Sequence, residues 1–354
     1  MNSMAMKLKL NPQTIKKIKR FQSIRRGYVS FLFFCFLLLI ALFAELLINN
    51  RALLVYDGDS LYFPTYGSII PGKTFGLDYE YETNYRQLQI QYEQEGSSKF
   101  VVMPLVPYNP FEMDLRETEF PPFPPSLKDK HYLGTDEIGR DILARLIYGF
   151  RICITFSLLL LIMNFSIGIT LGCIMGYWGG KFDLLFQRLI EIWSSIPFLY
   201  VIMIIASIVV PNLMILVIIS VIFGWMGITW YMRTMTYKEK AREYVMAAKA
   251  MGASNSRIVF KHILPNTVSL IVTFVPFYVA GGISSLTALD FLGFGLPAPT
   301  PSWGELLQQG TNNLQAIWIV SSTVTALVVV MVSITFIGEA IRESVDPKMH
   351  STFE

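Results

Sequence analysis

Residues 244–266 read YVMAAKAMGASNSRIVFKHILPN, and this polar stretch decides the fold because two long apolar runs flank it. It contains three bases and no acid: Lys249, Arg257 and Lys261. Gly252 permits the left-handed backbone conformation that ends many helices, and Ser254 or Asn255 can then cap a second short helix. Pro265 predicts the end of that second helix. The stretch therefore predicts a helix, a glycine turn and another helix.

Two small residues lie side by side in the first of these helices. Ala247 and Ala248 have almost no side chain, so the backbone of another chain could approach the helix closely there. A small contact point on a helix before a glycine turn describes a docking element at a membrane surface. An ordinary amphipathic loop helix is the alternative interpretation.

The same stretch resembles the EAA loop of ABC importer permeases, which has the pattern E-A-A-x3-G-x9-I-x-L-P. Five positions match that pattern: Ala247, Ala248, Gly252, Leu264 and Pro265. Met246 stands where the pattern has Glu, and His262 where it has Ile, so no salt bridge is expected at Met246. The resemblance implies that this loop is cytoplasmic, that it seats in a cleft of an ATPase subunit, and that these residues with Met246 carry the motion of that subunit to the membrane.

The composition indicates a membrane protein. The chain has 354 residues, of which 53% are hydrophobic and only 16% are charged, whereas a soluble domain has about 25% charged residues. The three cysteines all lie in apolar runs and are expected to pack as small hydrophobic residues: Cys35, Cys153 and Cys173. The three histidines are scattered, and no Cys/His spacing suits a metal, so no metal or cofactor is expected.

The first half of the chain predicts one span and one large polar insert. Residues 1–28 contain eight bases and no acid, which suggests a topology signal rather than a nucleic-acid-binding arm, because a span follows at once. Residues 29–48 supply about the 20 apolar residues that a bilayer requires. Residues 49–131 hold twelve acids against seven bases and are predicted to lie outside, with the FPPFPP stretch at 120–125 as a stiff linker.

Residues 132–348 are predicted to form the transmembrane core, followed by a tail at 349–354. Five further apolar segments supply spans at about 152–175, 189–210, 213–232, 267–289 and 316–337. Pro197 is expected to kink the third span, and Pro211-Asn212 to turn the chain before the fourth.

The distribution of bases predicts the orientation. Three segments assigned to the cytoplasm, 1–28, 179–188 and the coupling loop at 233–265, together hold seventeen Lys and Arg, and the short outer loops hold none. We therefore predict an all-α polytopic membrane protein with six transmembrane helices and both termini in the cytoplasm. The large extracytoplasmic insert then lies between spans 1 and 2.

Three glycines recur at every fourth position of the second span: Gly168, Gly172 and Gly176. At this spacing they share one face of a helix, and the face carries no side chains. Such a stripe lets a neighbouring helix approach closely, so we assign these glycines to helix packing.

One motif match is rejected. Residues 67–74 (GSIIPGKT) fit the phosphate-binding pattern G-x-x-x-x-G-K-[ST] at every letter. That motif requires a buried strand before it and a helix after it, whose N-terminal amides face the phosphate. Neither flank has such a pattern, and the segment lies on the side predicted to lack ATP.

The sequence contains no evident source of energy for transport. Glu45 lies near the end of the first predicted span, and Glu191 and Glu339 lie at the flanks of other spans. No intramembrane partner is evident for any of them, although ion-coupled carriers usually place several such groups in their spans. No serine in the spans has a neighbouring His or Lys that would make it a nucleophile, so we predict no enzyme activity. ATP hydrolysis is expected on separate partner subunits.

Two further strings resemble the oligopeptide and dipeptide permeases of the ABC importers. Residues 133–151 (LGTDEIGRDILARLIYGFR) fit the pattern LGTDxxGRDxLxRxxYGxR, and residues 289–310 are similar to SFLGLGxxPPxPxWGxML. The large outer insert and the sequence LDFLGFGLP are most similar to those of the Yej-type permeases, which are associated with peptide and microcin C uptake. The resemblance implies an inner-membrane subunit for binding-protein-dependent import.

That resemblance also implies partners: a second and different permease subunit, two ATP-binding domains and an extracytoplasmic substrate-binding protein, with no nucleic acid. Three acids are candidates for the outer mouth of the path: Asp136, Asp290 (where the pattern has Ser) and Glu305. A stand-alone secondary carrier or channel is the alternative function. A membrane-anchored scaffold that binds through residues 49–131 is another.

Overall fold

The computed structural model describes residues 12–96 and 98–345. The first eleven residues of the predicted basic segment 1–28, and the predicted tail at 349–354, lie outside the described residues. Contacts divide the chain into two compact units. The first unit contains the described parts of Met1–Cys35, Phe156–Ser284 and Val329–Glu354, and the second contains Phe36–Thr155 and Ser285–Val328.

Helices make up most of the chain. The α-helices are α1 Pro12–Ser23, α2 Arg25–Leu42, α3 Ala44–Leu47, α4 Tyr85–Glu95, α5 Ile142–Trp178, α6 Gly180–Ser194, α7 Phe198–Ile208, α8 Leu213–Gly224, α9 Met226–Lys240, α10 Glu243–Ala250, α11 Asn255–Arg257, α12 Leu264–Ile271, α13 Val275–Phe291, α14 Trp303–Asn312 and α15 Ile317–Val345. Three short strands accompany them: β1 Leu54–Tyr56, β2 Leu61–Tyr62 and β3 Phe100–Val102.

Among the described residues, five helical stretches are long and apolar enough to cross a membrane: Arg25–Leu42, Ile142–Trp178, Leu213–Lys240, Val272–Phe291 and Ile317–Val345. The bent pair α6 and α7 makes a sixth candidate if the two helices count as one span. The prediction of an all-α polytopic membrane protein is confirmed in part: the chain is mostly helical and polytopic, but it also contains a small three-stranded sheet. The exact number of spans, the side of each terminus and the side of the 49–131 insert stay predictions.

Helix α5 is longer than its predicted apolar core at 152–175. Its 37 residues correspond to roughly 55 Å at 1.5 Å per residue, whereas the hydrocarbon layer is about 30 Å thick. The helix therefore includes charged residues such as Arg145 and Arg151, which an apolar window leaves out.

The predicted kink at Pro197 is a break between α6 and α7, where the axes bend by 61°. Pro197 is the N-cap residue of α7 and has an extended backbone. Proline cannot continue α6 because it has no N–H to donate into the preceding turn. Asn212 caps α8, and its side chain accepts a hydrogen bond from the Ile215 amide at 2.9 Å, so the predicted turn lies before that helix.

The second unit holds a small antiparallel sheet in the order β2-β1-β3, with Val55 opposite Val101. Helix α4 begins at its cap residue Asn84, whose side chain accepts from the Gln87 amide. The sheet and α4 enclose a cluster of buried apolar residues: Ala52, Val55, Phe75, Tyr85, Leu88, Tyr92 and Val101. Apart from an alternation at 100–103 that favours the strand β3, the sequence does not make this fold evident.

The rejected phosphate-binding pattern at 67–74 folds as part of an irregular segment that ends in a 3-10 helix, Gly72–Phe75. Lys73 is ion-paired with Glu80. A Cβ added at Gly72 would lie 2.4 Å from the ring of Tyr79, so the glycine makes room for an aromatic side chain. No α-helix follows within the described part of this segment that could present amides to a phosphate.

Glu45 has a partner that the sequence did not reveal. The Arg151 guanidinium, on α5, donates to its carboxylate at 2.6 Å. The two residues are 106 positions apart in the chain, and no local spacing could have related them.

Candidate functional site

The turn segment, residues 243–265, contains the predicted helix, glycine turn and second helix. Helix α10 ends at Ala250, and Gly252 follows with φ of +79°. Ser254 then caps α11, its side chain accepting from the Arg257 amide. A residue with a Cβ adopts positive φ only at a cost of about 1–2 kcal/mol, so this turn requires glycine for its backbone and not for space.

The two faces of α10 have opposite environments. Val245 and Ala248 are buried, with Ala248 only 2% exposed, and they join the core of the first unit. Met246 is 56% exposed, Ala247 is exposed, and Met251 at the start of the turn is 80% exposed. The core residues around the buried face include Cys173, Tyr177, Ile228, Met232, Ile258, Val259 and Ile263. The two adjacent alanines therefore face different ways, and only Ala247 is open to a partner.

This division gives a matched pair of variants. We expect Ala248→Leu to destabilise the chain by about 1–3 kcal/mol, because a larger side chain must be forced into a filled core. Ala247→Leu adds the same atoms to the exposed face and should leave stability unchanged within about 0.5 kcal/mol. Thermal unfolding of the two purified variants in detergent measures the difference, and equal midpoints would contradict the assigned faces.

After α11 the chain winds as a π-helix at Ile258–Ile263 and then as α12. Pro265 lies in the first turn of α12, so the expectation that Pro265 ends the second helix is wrong: it lies at the start of the next one. The first turn of a helix tolerates proline because the amides there need no partner within the helix. The Asn266 side chain donates to the His262 carbonyl at 2.8 Å, and Leu264 packs against the core of the first unit.

Hydrogen bonds attach the turn segment to the end of α5 and to α9. The Tyr177 hydroxyl, on α5, donates to the Asn255 side chain at 3.0 Å. The Tyr244 hydroxyl donates to the Glu239 carboxylate at 2.8 Å. The Lys240 ammonium lies 5.5 Å from the centre of the Tyr177 ring, within the range of a cation–π contact. The segment is thus held on one side, while Met246, Ala247 and Met251 remain uncovered on the other.

The glycine stripe of α5 lies against α9. A Cβ added at Gly168 would come within 2.1 Å of Ile228, and one at Gly172 within 2.5 Å of the Thr229 carbonyl. At Gly176 it would meet the Arg233 carbonyl at 2.5 Å. Real Cβ contacts are not that short, so α9 could not lie this close to α5 with larger residues at these positions.

Arg233 also carries a contact that sequence reasoning missed. Its guanidinium donates to both carboxylate oxygens of Asp183, in the first turn of α6. In the sequence, Asp183 is an acid beside one apolar segment and Arg233 is a base at the end of another, and no pattern relates the two. Because 50 positions separate them, only the packing of α6 and α9 could reveal the pair.

The predicted outer-mouth acids are enclosed in the second unit. The Asp136 carboxylate is fully buried and accepts from the Arg140 backbone amide at 2.9 Å and from its guanidinium at 2.7 Å. Glu305 accepts from Arg140 at 2.7 Å and from the fully buried Arg145, and its side chain is 22% exposed. Burial lowers the pKa of Arg140, but the carboxylates of Asp136 and Glu305 outweigh burial and raise it overall.

Asp290 is likewise occupied by local donors. Its carboxylate accepts from the Leu296 amide at 2.7 Å and from the Ser302 hydroxyl. Ser302 in turn caps α14, accepting from the amides of Gly304 and Glu305. Each of the three acids therefore holds a turn or pairs with an arginine in this structure, and a contact with substrate stays a prediction.

Comparison with known proteins shows which family the chain is similar to. A family model described as "Binding-protein-dependent transport system inner membrane component" matches residues 168–351. The chain is 37% identical to the "Peptidoglycan transport system permease protein YejE" of Agrobacterium fabrum, over 96% of this chain and 94% of that protein. It is 38% identical to the "Inner membrane ABC transporter permease protein YejE" of Escherichia coli, over 96% and 98%.

A more distant relative matches less of the chain. The "Dipeptide transport system permease protein DppC" of Bacillus subtilis is 30% identical over 69% of this chain and 76% of that protein. Because the two relatives above match 96% of the chain, they must share most of residues 49–131. The turn segment lies within the part that the family model covers.

Proposed function

Because the chain belongs to the family of binding-protein-dependent transport system inner membrane components, we propose that it is the permease subunit of an ATP-driven importer of peptides or peptide-like compounds. It is a multi-pass protein of the inner membrane. The names of its relatives support the substrate class, since they are described as peptidoglycan, dipeptide and oligopeptide transport proteins. Microcin C is a further peptide-like candidate, by the resemblance to Yej-type permeases.

The observation that carries this proposal is the two-faced turn segment. Its inner face is packed into the first unit and its outer face exposes Met246, Ala247 and Met251 around a glycine turn. Apolar side chains that a polar loop leaves uncovered favour a protein partner. We assign that partner as one of two cytoplasmic ATP-binding domains, with Leu264 and Pro265 anchoring the far end of the contact.

The remaining partners follow from the same assignment. A second, different permease subunit would complete the path, and a soluble binding protein would deliver substrate on the side of residues 49–131. Both termini would then lie in the cytoplasm, together with residues 233–265, whose excess of bases favours that side. ATP hydrolysis would take place on the partners, and this chain would supply half of the translocation path.

Reconstitution tests the proposal against a stand-alone carrier. Proteoliposomes that contain this chain, its sister permease, the ATP-binding subunits and the binding protein should take up radiolabelled peptides only with ATP present. Liposomes with this chain alone should take up none, because the proposed permease depends on ATP hydrolysis by its partner subunits. ATP-independent uptake by the chain alone would support a carrier or channel instead.

A further inference from the structure

The Asp183–Arg233 pair is a two-pronged contact between α6 and α9. The Arg233 Nε donates to one carboxylate oxygen at 2.6 Å and its terminal nitrogen donates to the other at 2.5 Å. Gln187 adds a third donor at 2.8 Å, and the Asp183 side chain is only 12% exposed. A two-pronged arginine–carboxylate contact fixes orientation as well as distance, which a lysine could not do.

The backbone of Arg233 is held at the same place by a different helix. A Cβ added at Gly172 would lie 3.0 Å from its amide nitrogen, and one at Gly176 would lie 2.5 Å from its carbonyl oxygen. Residue 233 thus joins three helices: its main chain lies on α5, its side chain is bound to α6, and it belongs to α9.

The path from Arg233 to the turn segment is short and hydrogen-bonded. Only Ala241 and Arg242 separate the end of α9 from the start of α10. The Tyr244 side chain on α10 is bound to Glu239 on α9, and the Val245 amide donates to the Arg242 carbonyl at 3.0 Å. With no flexible linker between them, a displacement of α10 must move α9 as well.

Helix α6, at the other end of the pair, leads into the 61° break before α7. From this juxtaposition we propose that Asp183 and Arg233 are positioning residues, which pass a displacement of α10 through α9 to the broken helix pair α6 and α7. The inference rests on the function proposed above. A pair that served only to hold α6 against α9 would affect stability without changing the uptake obtained per ATP.

Two conservative variants test the inference in the reconstituted importer. Asp183→Asn keeps the shape of the side chain but removes its charge, and Arg233→Lys keeps the charge but removes the two-pronged contact. We expect both to assemble and hydrolyse ATP at near the wild-type rate, while peptide uptake per ATP falls roughly fivefold or more. The double variant Asp183→Arg with Arg233→Asp, which exchanges the two charges, should restore part of the peptide uptake per ATP.

The same helix supplies a matched control. Arg188 and Glu191 form an ion pair on the exposed surface of α6, with side chains 74% and 50% exposed. Glu191→Gln should leave the uptake per ATP unchanged, because exposed ion pairs contribute little to the free energy. The inference is overturned if Asp183→Asn keeps the wild-type ratio, or if uptake and hydrolysis fall together with a loss of folded chain. A wild-type complex without ATP-dependent uptake would instead reject the proposed function.

Discussion

Gly252→Val should leave the importer assembled and able to hydrolyse ATP, yet reduce ATP-driven uptake by about tenfold or more, as a coupling energy above 1.4 kcal/mol implies. Gly252 has φ of +79°, and a Cβ added there would meet nothing within 4 Å. A Cβ at this position therefore clashes with none of the described residues. The effect of the variant comes from the backbone, since a β-branched residue at positive φ is a genuine outlier and the turn must change shape.

Two companions separate backbone conformation from side-chain size. Gly252→Asn should retain most uptake, because asparagine adopts the left-handed conformation more readily than valine does. Gly76→Val places the same residue at φ of +80° in equally open space within the second unit, and it should leave the uptake per ATP unchanged. Normal uptake by Gly252→Val, measured as peptide accumulated per ATP hydrolysed, would contradict the role of this turn.

Glu305→Ala should cause the largest loss of stability among the variants considered. The Glu305 carboxylate binds both Arg140 and Arg145, whose side chains are almost completely buried. Removing one member of a buried ion pair costs roughly 3–5 kcal/mol because the remaining charge stays uncompensated. We expect the lower end of that range, since Glu305 is 22% exposed and Asp136 continues to pair with Arg140.

The measurement is thermal unfolding of the purified chain in detergent, together with its abundance in membranes. Glu305→Gln should show an intermediate loss, because the amide keeps one acceptor for the arginines. Glu80→Ala serves as the control in the same unit. Glu80 pairs with Lys73, and the two side chains are 78% and 62% exposed, respectively; such exposed pairs contribute about 0–1 kcal/mol to stability. Equal stability of Glu305→Ala and Glu80→Ala would show that the buried arginines do not depend on Glu305.

Local sequence predicted the turn segment because its signals are local. A glycine that takes positive φ, and a serine that caps a helix, act within a few residues of their own positions. The orientation of Ala248 could not be predicted in this way, since α10 could have presented either alanine to the core. Pro265 was misjudged for a related reason: a proline that interrupts a helix also fits the first turn of a new one.

The charged contacts show where sequence reasoning ends. Among the charges crowded at 136–145, Asp136 pairs with Arg140, four positions away. Glu305, the partner of Arg145, lies 160 positions beyond it, and Asp183 and Arg233 are 50 positions apart. Such pairs depend on which helices pack together, and apolar segments of similar composition contain no information about their neighbours. Relatives that match 96% of the chain supply the family, and the structure supplies the contacts.

We propose that the cytoplasmic ATP-binding subunits act on the glycine turn at Gly252. The accessibility of position 251 tests this most directly. Met251→Cys adds a thiol where the side chain is 80% exposed, in a Cys35→Ser background that leaves only the buried Cys153 and Cys173. A membrane-impermeant maleimide should not label this thiol in intact cells. It should label it in inside-out vesicles, and bound ATP-binding subunits should protect it. Labelling of Met251→Cys from outside intact cells would place the turn on the side of the membrane that the ATP-binding subunits cannot reach, and would contradict the proposed contact.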